Sequence, residues 1–168
     1  MTDMTSYSVV YSSKTGNTAR LAERLREILP HSGLAYFGPP EKEAADAEVL
    51  FVGFWTDKGD CDETISAFLE HLRGRRVFLF GTAGFGGSAD YFEAILSRVR
   101  AHLDESNTVI GAYMCQGRMP EAVRRRYEAM QAQEPEKVRG LLKNFDRALS
   151  HPDAGDLRRL EQAAESIC

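Results

Sequence analysis

Ser13, Lys14, Thr15, Gly16, Asn17 and Thr18 follow a short β-branched and aromatic run, Tyr7 to Ser12, and precede an apolar pattern of helical period. A loop in that place exposes backbone N–H groups that have no partner inside the helix, at the end where the helix dipole is positive. Hydroxyls, an amide and a lysine around such an end suit an anion, and a phosphate above all. The same residue types are also ordinary helix caps that need no ligand; the position straight after the first strand favours phosphate. Neither GxxxxGK[ST] nor GxGxxG follows that strand, so the seat fits one terminal monophosphate rather than a triphosphate or a dinucleotide.

Two further loops carry aromatic and glycine residues. Trp55, the only tryptophan, leads into Thr56, Asp57, Lys58 and Gly59, and the run RVFLFG leads into Thr82, Ala83, Gly84, Phe85, Gly86 and Gly87. Any one of these glycines reads as a flexible turn, but their clustering points to backbone that approaches a flat ligand closely. Trp55 and Phe85, at the ends of neighbouring strands, are placed to cover a planar ring by offset stacking. A tryptophan closing a strand is also commonly a half-buried core residue. One phosphate seat and two aromatic loops together indicate a phosphorylated planar cofactor.

The elements that must position these loops alternate. Strands are expected at Tyr7 to Ser12, Leu34 to Phe37, Glu48 to Trp55, Arg76 to Gly81 and Thr108 to Cys115, and the stretch TDKGDCDE is expected as a polar loop. Helical faces are formed by Leu21, Leu25, Ile28 and Leu29; by Ile65, Phe68, Leu69 and Leu72; and by Phe92, Ile95, Leu96, Val99 and Leu103. Pro120 starts a further helix through Met130, and two more are expected over Glu136 to Leu149 and Asp153 to Ile167. Strands and helices in this alternation predict an α/β fold, a three-layer doubly wound sheet of five parallel strands. The flavodoxin-type strand order is 2-1-3-4-5, with ligands bound beyond the carboxyl ends of the strands. We expect one domain over 1–168, with a core over about 7–130 and a helical extension over 131–168.

SKTGNT after the first strand, FWTDKGD after the central strand and GTAGFGG after the next resemble the phosphate loop and the two ring-binding loops of flavodoxins. The resemblance runs from Tyr7 to Met130 and implies noncovalent FMN binding and electron transfer. It places the phosphate at Ser13 to Thr18 and the ring between the loops Trp55 to Gly59 and Thr82 to Gly87, with Phe85 or Tyr91 over the outer ring face. Lys14 departs from the small hydroxyl residue that many flavodoxins have there. The resemblance further implies that the peptide at Gly59 can rotate on reduction of the flavin, and that Lys58 near the ring would favour the reduced anion; Lys58 as a solvated surface cation is the alternative. CQGRMP, and SHPD followed by DL, are similar to a flavodoxin-like subfamily that includes proteins encoded beside anaerobic bilirubin-reducing enzymes. Through that likeness Cys115, Gln116 and Gly117 become candidate contacts to the ring edge, with a buried structural role as the other reading of Cys115.

The remaining composition narrows the function. With 25 acidic and 21 basic residues the net charge is −4, too little positive charge for a nucleic-acid partner. Cys61, Cys115 and Cys168 form no CxxC pair, and no histidine cluster suggests zinc, which fits a reducing cytosol. The start resembles no secretory signal and the longest apolar run is far short of the roughly 20 residues of a membrane span. A cytoplasmic location is therefore expected. His31, His71, His102 and His151 are expected at solvated helix ends, and no nucleophile or acid–base constellation is visible. Eight acidic residues between Glu41 and Glu63, among them Asp57, Asp60 and Asp62, either steer a basic redox partner or serve solubility. The expected function is an FMN electron carrier that passes one or two electrons to a partner redox enzyme. The alternatives are an FMN-dependent NAD(P)H:quinone-type oxidoreductase and an interaction module that has lost its cofactor.

Overall fold

Residues 5–86, 88–165 and 167 are described in a computed structural model of the chain. The strands are β1 (Tyr7–Tyr11), β2 (Leu34–Gly38), β3 (Val49–Asp57), β4 (Asp60–Cys61), β5 (Arg76–Ala83) and β6 (Thr108–Gln116). The helices are α1 (Asn17–Ile28), α2 (Glu63–His71), α3 (Ala89–Arg100), α4 (Glu121–Met130), α5 (Pro135–Ala148) and α6 (Ala154–Glu165). Five parallel strands run in the order β2-β1-β3-β5-β6, which is the expected doubly wound order. The sixth strand, β4, folds back antiparallel on the end of β3, pairing Thr56 with Cys61 and Asp57 with Asp60. The stretch expected as an irregular loop is thus a two-residue hairpin, and Thr82 and Ala83 lie on β5 itself rather than beyond it.

The central strands are buried on both faces, which explains their nearly continuous apolar sequence. Alternate residues serve opposite layers. Phe51, Phe78 and Phe80 point to one core with Leu21 and Leu25 of α1 and Leu160 and Ala164 of α6. Leu50, Val52, Phe54 and Leu79 point to the other, with Ile65 and Leu69 of α2 and Ile95 and Val99 of α3. Glycines in the two central strands make room for facing rings: a Cβ on Gly53 would stand 2.3 Å from the Phe80 ring, and one on Gly81 2.3 Å from the Phe54 ring.

The helix that shares the sheet face with α1 is α6, from the part of the chain expected as an extension. Helix α4 buries no residue; it pairs with α5, through Arg124 to Asp146 at 2.6 Å and the Arg124 guanidinium 5.4 Å from the Phe145 ring. The α4–α5 hairpin is therefore inserted between the last strand and the helix that completes the layer.

Candidate functional site

The first loop leaves β1 at Tyr11 and enters α1 through Gly16, whose φ of +89° starts the helix without a side-chain cap. Ser13 turns inward: its Oγ accepts the N–H groups of Gly16 (3.1 Å) and Ala19 (3.2 Å). Thr18 is fully buried, donating to the Phe54 carbonyl at 2.9 Å and meeting the Thr82 hydroxyl at 3.0 Å. These two hydroxyls brace the loop against the sheet. The backbone N–H groups of Asn17 and Thr18 have no acceptor among the described residues, and the first turn of α1 carries no acidic side chain. The helix end is thus shaped and polarised for an anion.

Asn17 ties this loop to the segment after β6. Its Nδ2 donates to the Arg118 carbonyl at 2.8 Å and to Thr15 Oγ1 at 2.9 Å. A Cβ on residue 117 would lie 2.4 Å from Asn17 Nδ2, so only glycine lets that side chain pass.

From the α1 end a cavity of about 390 Å³ extends over the carboxyl ends of β3 and β5, a volume within the roughly 300–1,000 Å³ usual for small-molecule sites. Of the residues singled out in the sequence, Lys14, Thr15, Asn17, Trp55, Thr56, Asp57, Lys58, Gly59, Thr82, Ala83, Gly84, Phe85 and Gly117 line it. Tyr91 does too, so both aromatics considered for the outer ring face stand at the wall, and Phe85 is 39% exposed. The Lys14 Nζ lies 4.9 Å from the Trp55 ring, in cation–π range. Lys14, Lys58, Arg118 and Arg126 surround the cavity against the single carboxylate of Asp57. A chain of net charge −4 has concentrated positive charge here, as an anionic ligand requires.

The second loop is held tightly. Lys58 (φ +53°) and Gly59 (φ +81°) form the hairpin between β3 and β4, both in the left-handed region that a type I′ turn demands. Asp62, just past β4, is 2% exposed; its Oδ1 accepts the Trp55 N–H at 3.2 Å and its Oδ2 has no hydrogen-bond partner among the described residues. Burial pushes this carboxyl above the ordinary carboxylate range, against hydrogen bonds that pull it down. Asp62 is therefore not part of a surface acidic rim, and Asp60 is engaged with His102 at 2.9 Å. Of the three aspartates expected there, only Asp57 is exposed.

Cys115 and Gln116, expected at the ring edge, stand off the cavity wall. Cys115 is 3% exposed in the core beneath α1 and α6, where burial pushes its thiol up and leaves it unreactive. Gln116 donates Nε2 to the Gly84 carbonyl (3.0 Å) and to Asn144 Oδ1 (3.1 Å), and Asn144 Nδ2 donates to the same carbonyl at 3.0 Å. Helix α5 thereby pins the third loop. Gly86 faces Gln116 instead of the cavity, and Gly87 lies outside the described residues. Two histidines are not solvated either: His102 meets Asp60, and His151 meets the buried Asp156 at 2.6 Å.

The sequence pattern missed one wall of the cavity, formed by Arg118, Met119 and Pro120 with Val123, Arg126 and Tyr127 of α4. The segment is set by backbone contacts from the far end of the chain, the Arg118 N–H donating to the His151 carbonyl at 3.0 Å. One signal was present: α4 is rich in arginine and poor in apolar residues, so burial in the core cannot be what places it.

A flavodoxin domain matches residues 8–165 of the chain. The chain belongs to the flavodoxin family. The flavodoxin-like domain-containing protein BilS of Clostridium symbiosum is 38% identical over 170 residues, covering 90% of each chain. BilS of Clostridioides difficile is 28% identical over 168 residues, covering 95% of this chain and 94% of its own. Among solved structures, a short-chain flavodoxin associated with a non-canonical PDU bacterial microcompartment superposes with a TM-score of 0.62 at 16% identity, covering 98% of this chain and 97% of that one.

Membership in the family implies FMN as the cofactor. The residues present fit it: unpaired N–H groups at the α1 end for the phosphate, and Trp55, Phe85 and Tyr91 along one continuous cavity for the ring.

Proposed function

We propose that this flavodoxin binds FMN in the cavity described and passes one or two electrons to a partner redox enzyme in the cytosol, the whole chain acting as one unit. The observation that carries the reading is the continuity of one cavity from the unpartnered N–H groups of α1 to the aromatic walls. Bound FMN supplies the redox chemistry, and the protein supplies binding, orientation and electrostatics.

Each element has a separable task. The α1 end and Lys14 seat the phosphate. Trp55 and Phe85 shield the ring from water, and the four cations around the cavity favour added negative charge by Coulombic attraction. No acid, base or nucleophile is needed for that work, and the two described cysteines, Cys61 and Cys115, are buried with thiols pushed up by burial. Exposed Asp57 and Phe85 at the mouth make a small mixed patch suited to a brief, salt-sensitive contact with a partner.

The test is a titration of the cofactor-free chain with FMN and with riboflavin, followed by stepwise reduction under anaerobic conditions. We expect one FMN per chain, at least about tenfold weaker riboflavin binding for want of the phosphate, and reduction without turnover of NAD(P)H. Failure to bind FMN would sink the reading. Rapid NAD(P)H oxidation with a quinone, and no partner protein, would replace electron carriage by the oxidoreductase alternative.

A further inference from the structure

The Lys58–Gly59 turn is the part of the cavity least able to hold its own shape. Its ladder has only the pairs Thr56–Cys61 and Asp57–Asp60, and a two-stranded ribbon so short is not stable by itself. Lys58 is moreover a side-chain-bearing residue at φ +53°, a conformation that costs free energy unless its surroundings enforce it.

The enforcement comes from α3 and the turn that follows it. Arg98 Nη1 donates to the Gly59 carbonyl at 2.8 Å. His102 Nε2 lies 2.9 Å from Asp60 Oδ2, and its Nδ1 lies 3.2 Å from Glu70 Oε2 of α2. We infer that Arg98 and His102 are positioning residues that latch the Lys58–Gly59 turn against the cofactor, and that protonation of His102 closes the latch. The inference rests on the proposed reading of this turn as an FMN contact.

The chemistry of the ring requires the proton. A neutral imidazole has one N–H and one bare nitrogen, so between two carboxylates it attracts one and repels the other; only the imidazolium donates to both. The groups facing it are Asp60 and Cys61 from β4 and Glu70 from α2, while Arg98, four residues back in the chain, is engaged with the Gly59 carbonyl. Cys61 stays a neutral thiol, its burial and the neighbouring Asp60 both pushing it up. Arg73, beyond α2, faces Asp104 at 3.9 Å instead. Burial pulls the His102 imidazolium down, but the hydrogen bonds and charges of Asp60 and then Glu70 outweigh it, and its pKa is raised. Burial likewise opposes ionisation of Asp60, yet the His102 contact and the Cys61 N–H hold that carboxyl below its usual range. A raised histidine pKa means the latch is fully closed below the ordinary value of about 6.5 and opens as pH rises through the folded-state value.

The experiment measures the cofactor-free chain and the FMN complex separately. By NMR, His102 of the cofactor-free chain should titrate above about 6.5, and Arg98→Ala should speed amide exchange of Gly59 to Cys61 by about fivefold or more. FMN affinity, read by quenching of flavin fluorescence from about pH 6 to about pH 8.5, is compared between wild type and His102→Gln. The second ionisation of the FMN phosphate near pH 6 is common to both. Wild type should lose at least about threefold more affinity than His102→Gln over that range, Arg98→Ala should bind about fivefold more weakly, and Arg98→Lys should recover most of the loss. Identical pH profiles for wild type and His102→Gln, or an Arg98→Ala protein with unchanged affinity, would overturn the latch. If the wild type binds no FMN, the proposed function fails, and the NMR measurements still judge the latch: a His102 titrating at or below about 6.5, or unchanged exchange in Arg98→Ala, overturns it.

Discussion

Asn144→Ala tests whether the α4–α5 hairpin organises the cofactor loops or merely packs beside them. Asn144 donates to the Gly84 carbonyl at 3.0 Å and accepts from Gln116 at 3.1 Å. The substitution removes both bonds and leaves the nearly buried Gln116 amide with only the Gly84 carbonyl. At about 1 kcal/mol for each net hydrogen bond, unfolding free energy should fall by about 2 kcal/mol. Part of that loss should reappear in binding, because a loosened Gly84 loop must be re-ordered when FMN enters. If half of it does, about 1 kcal/mol corresponds to an FMN dissociation constant raised about fivefold. Urea unfolding of the cofactor-free protein and an FMN titration of the same preparation give both numbers. A stability loss near 2 kcal/mol with unchanged affinity would refute the claim that α5 shapes the site, and no stability loss would refute the hydrogen bonds themselves.

Two further substitutions probe the sheet beneath the site. Asp62→Asn keeps an acceptor for the Trp55 N–H while removing a buried charge. Because the folded-state pKa of Asp62 is raised, its ionised form costs stability once the pH exceeds the unfolded value of about 3.9. The asparagine protein should therefore melt higher than wild type near neutral pH, with the gain shrinking as pH falls toward about 4; a lower melting temperature at pH 7 would contradict this. Gly81→Ala places a Cβ 2.3 Å from the fully buried Phe54 ring, so it should destabilise by about 1–3 kcal/mol and lower the melting temperature by several degrees. A change within about 0.5 kcal/mol would mean that the ring yields more easily than the packing indicates.

Apart from the short β4, which was expected as loop, the strands and helices were legible in the sequence to within a residue or two, because each carries its own period. EVLFVGFW and RVFLFG are apolar without interruption since both sheet faces are covered, and the stripe Leu21, Leu25, Ile28 marks the buried side of α1. The loops SKTGNT, FWTDKG and the start of GTAGFGG were legible for a different reason: a loop at the carboxyl end of a parallel strand opens toward the ligand crevice whatever else the fold contains. Twelve of the residues singled out there do line the cavity.

What the sequence could not show is which way a side chain turns once it is there, or which distant segment meets it. Ser13 and Thr18 have the residue types of ligand contacts, yet their hydroxyls are taken by the α1 backbone and by the Phe54 carbonyl. Gln116 reaches α5, Asp62 sinks into the core, and His102 finds two carboxylates that lie 32 and 42 positions away in the chain. The stripes of α5 and α6 each demanded a partner without naming it; only packing assigned α6 to the sheet beside α1, set α4 against the cavity and placed α5 behind it, where Asn144 holds the Gly84 loop. Local periodicity is a property of a segment and is written in that segment alone. The direction of a hydroxyl, the raised pKa of His102 and the wall built by Arg126 and Tyr127 are properties of pairs of segments, and they exist only once the sheet has brought those segments together.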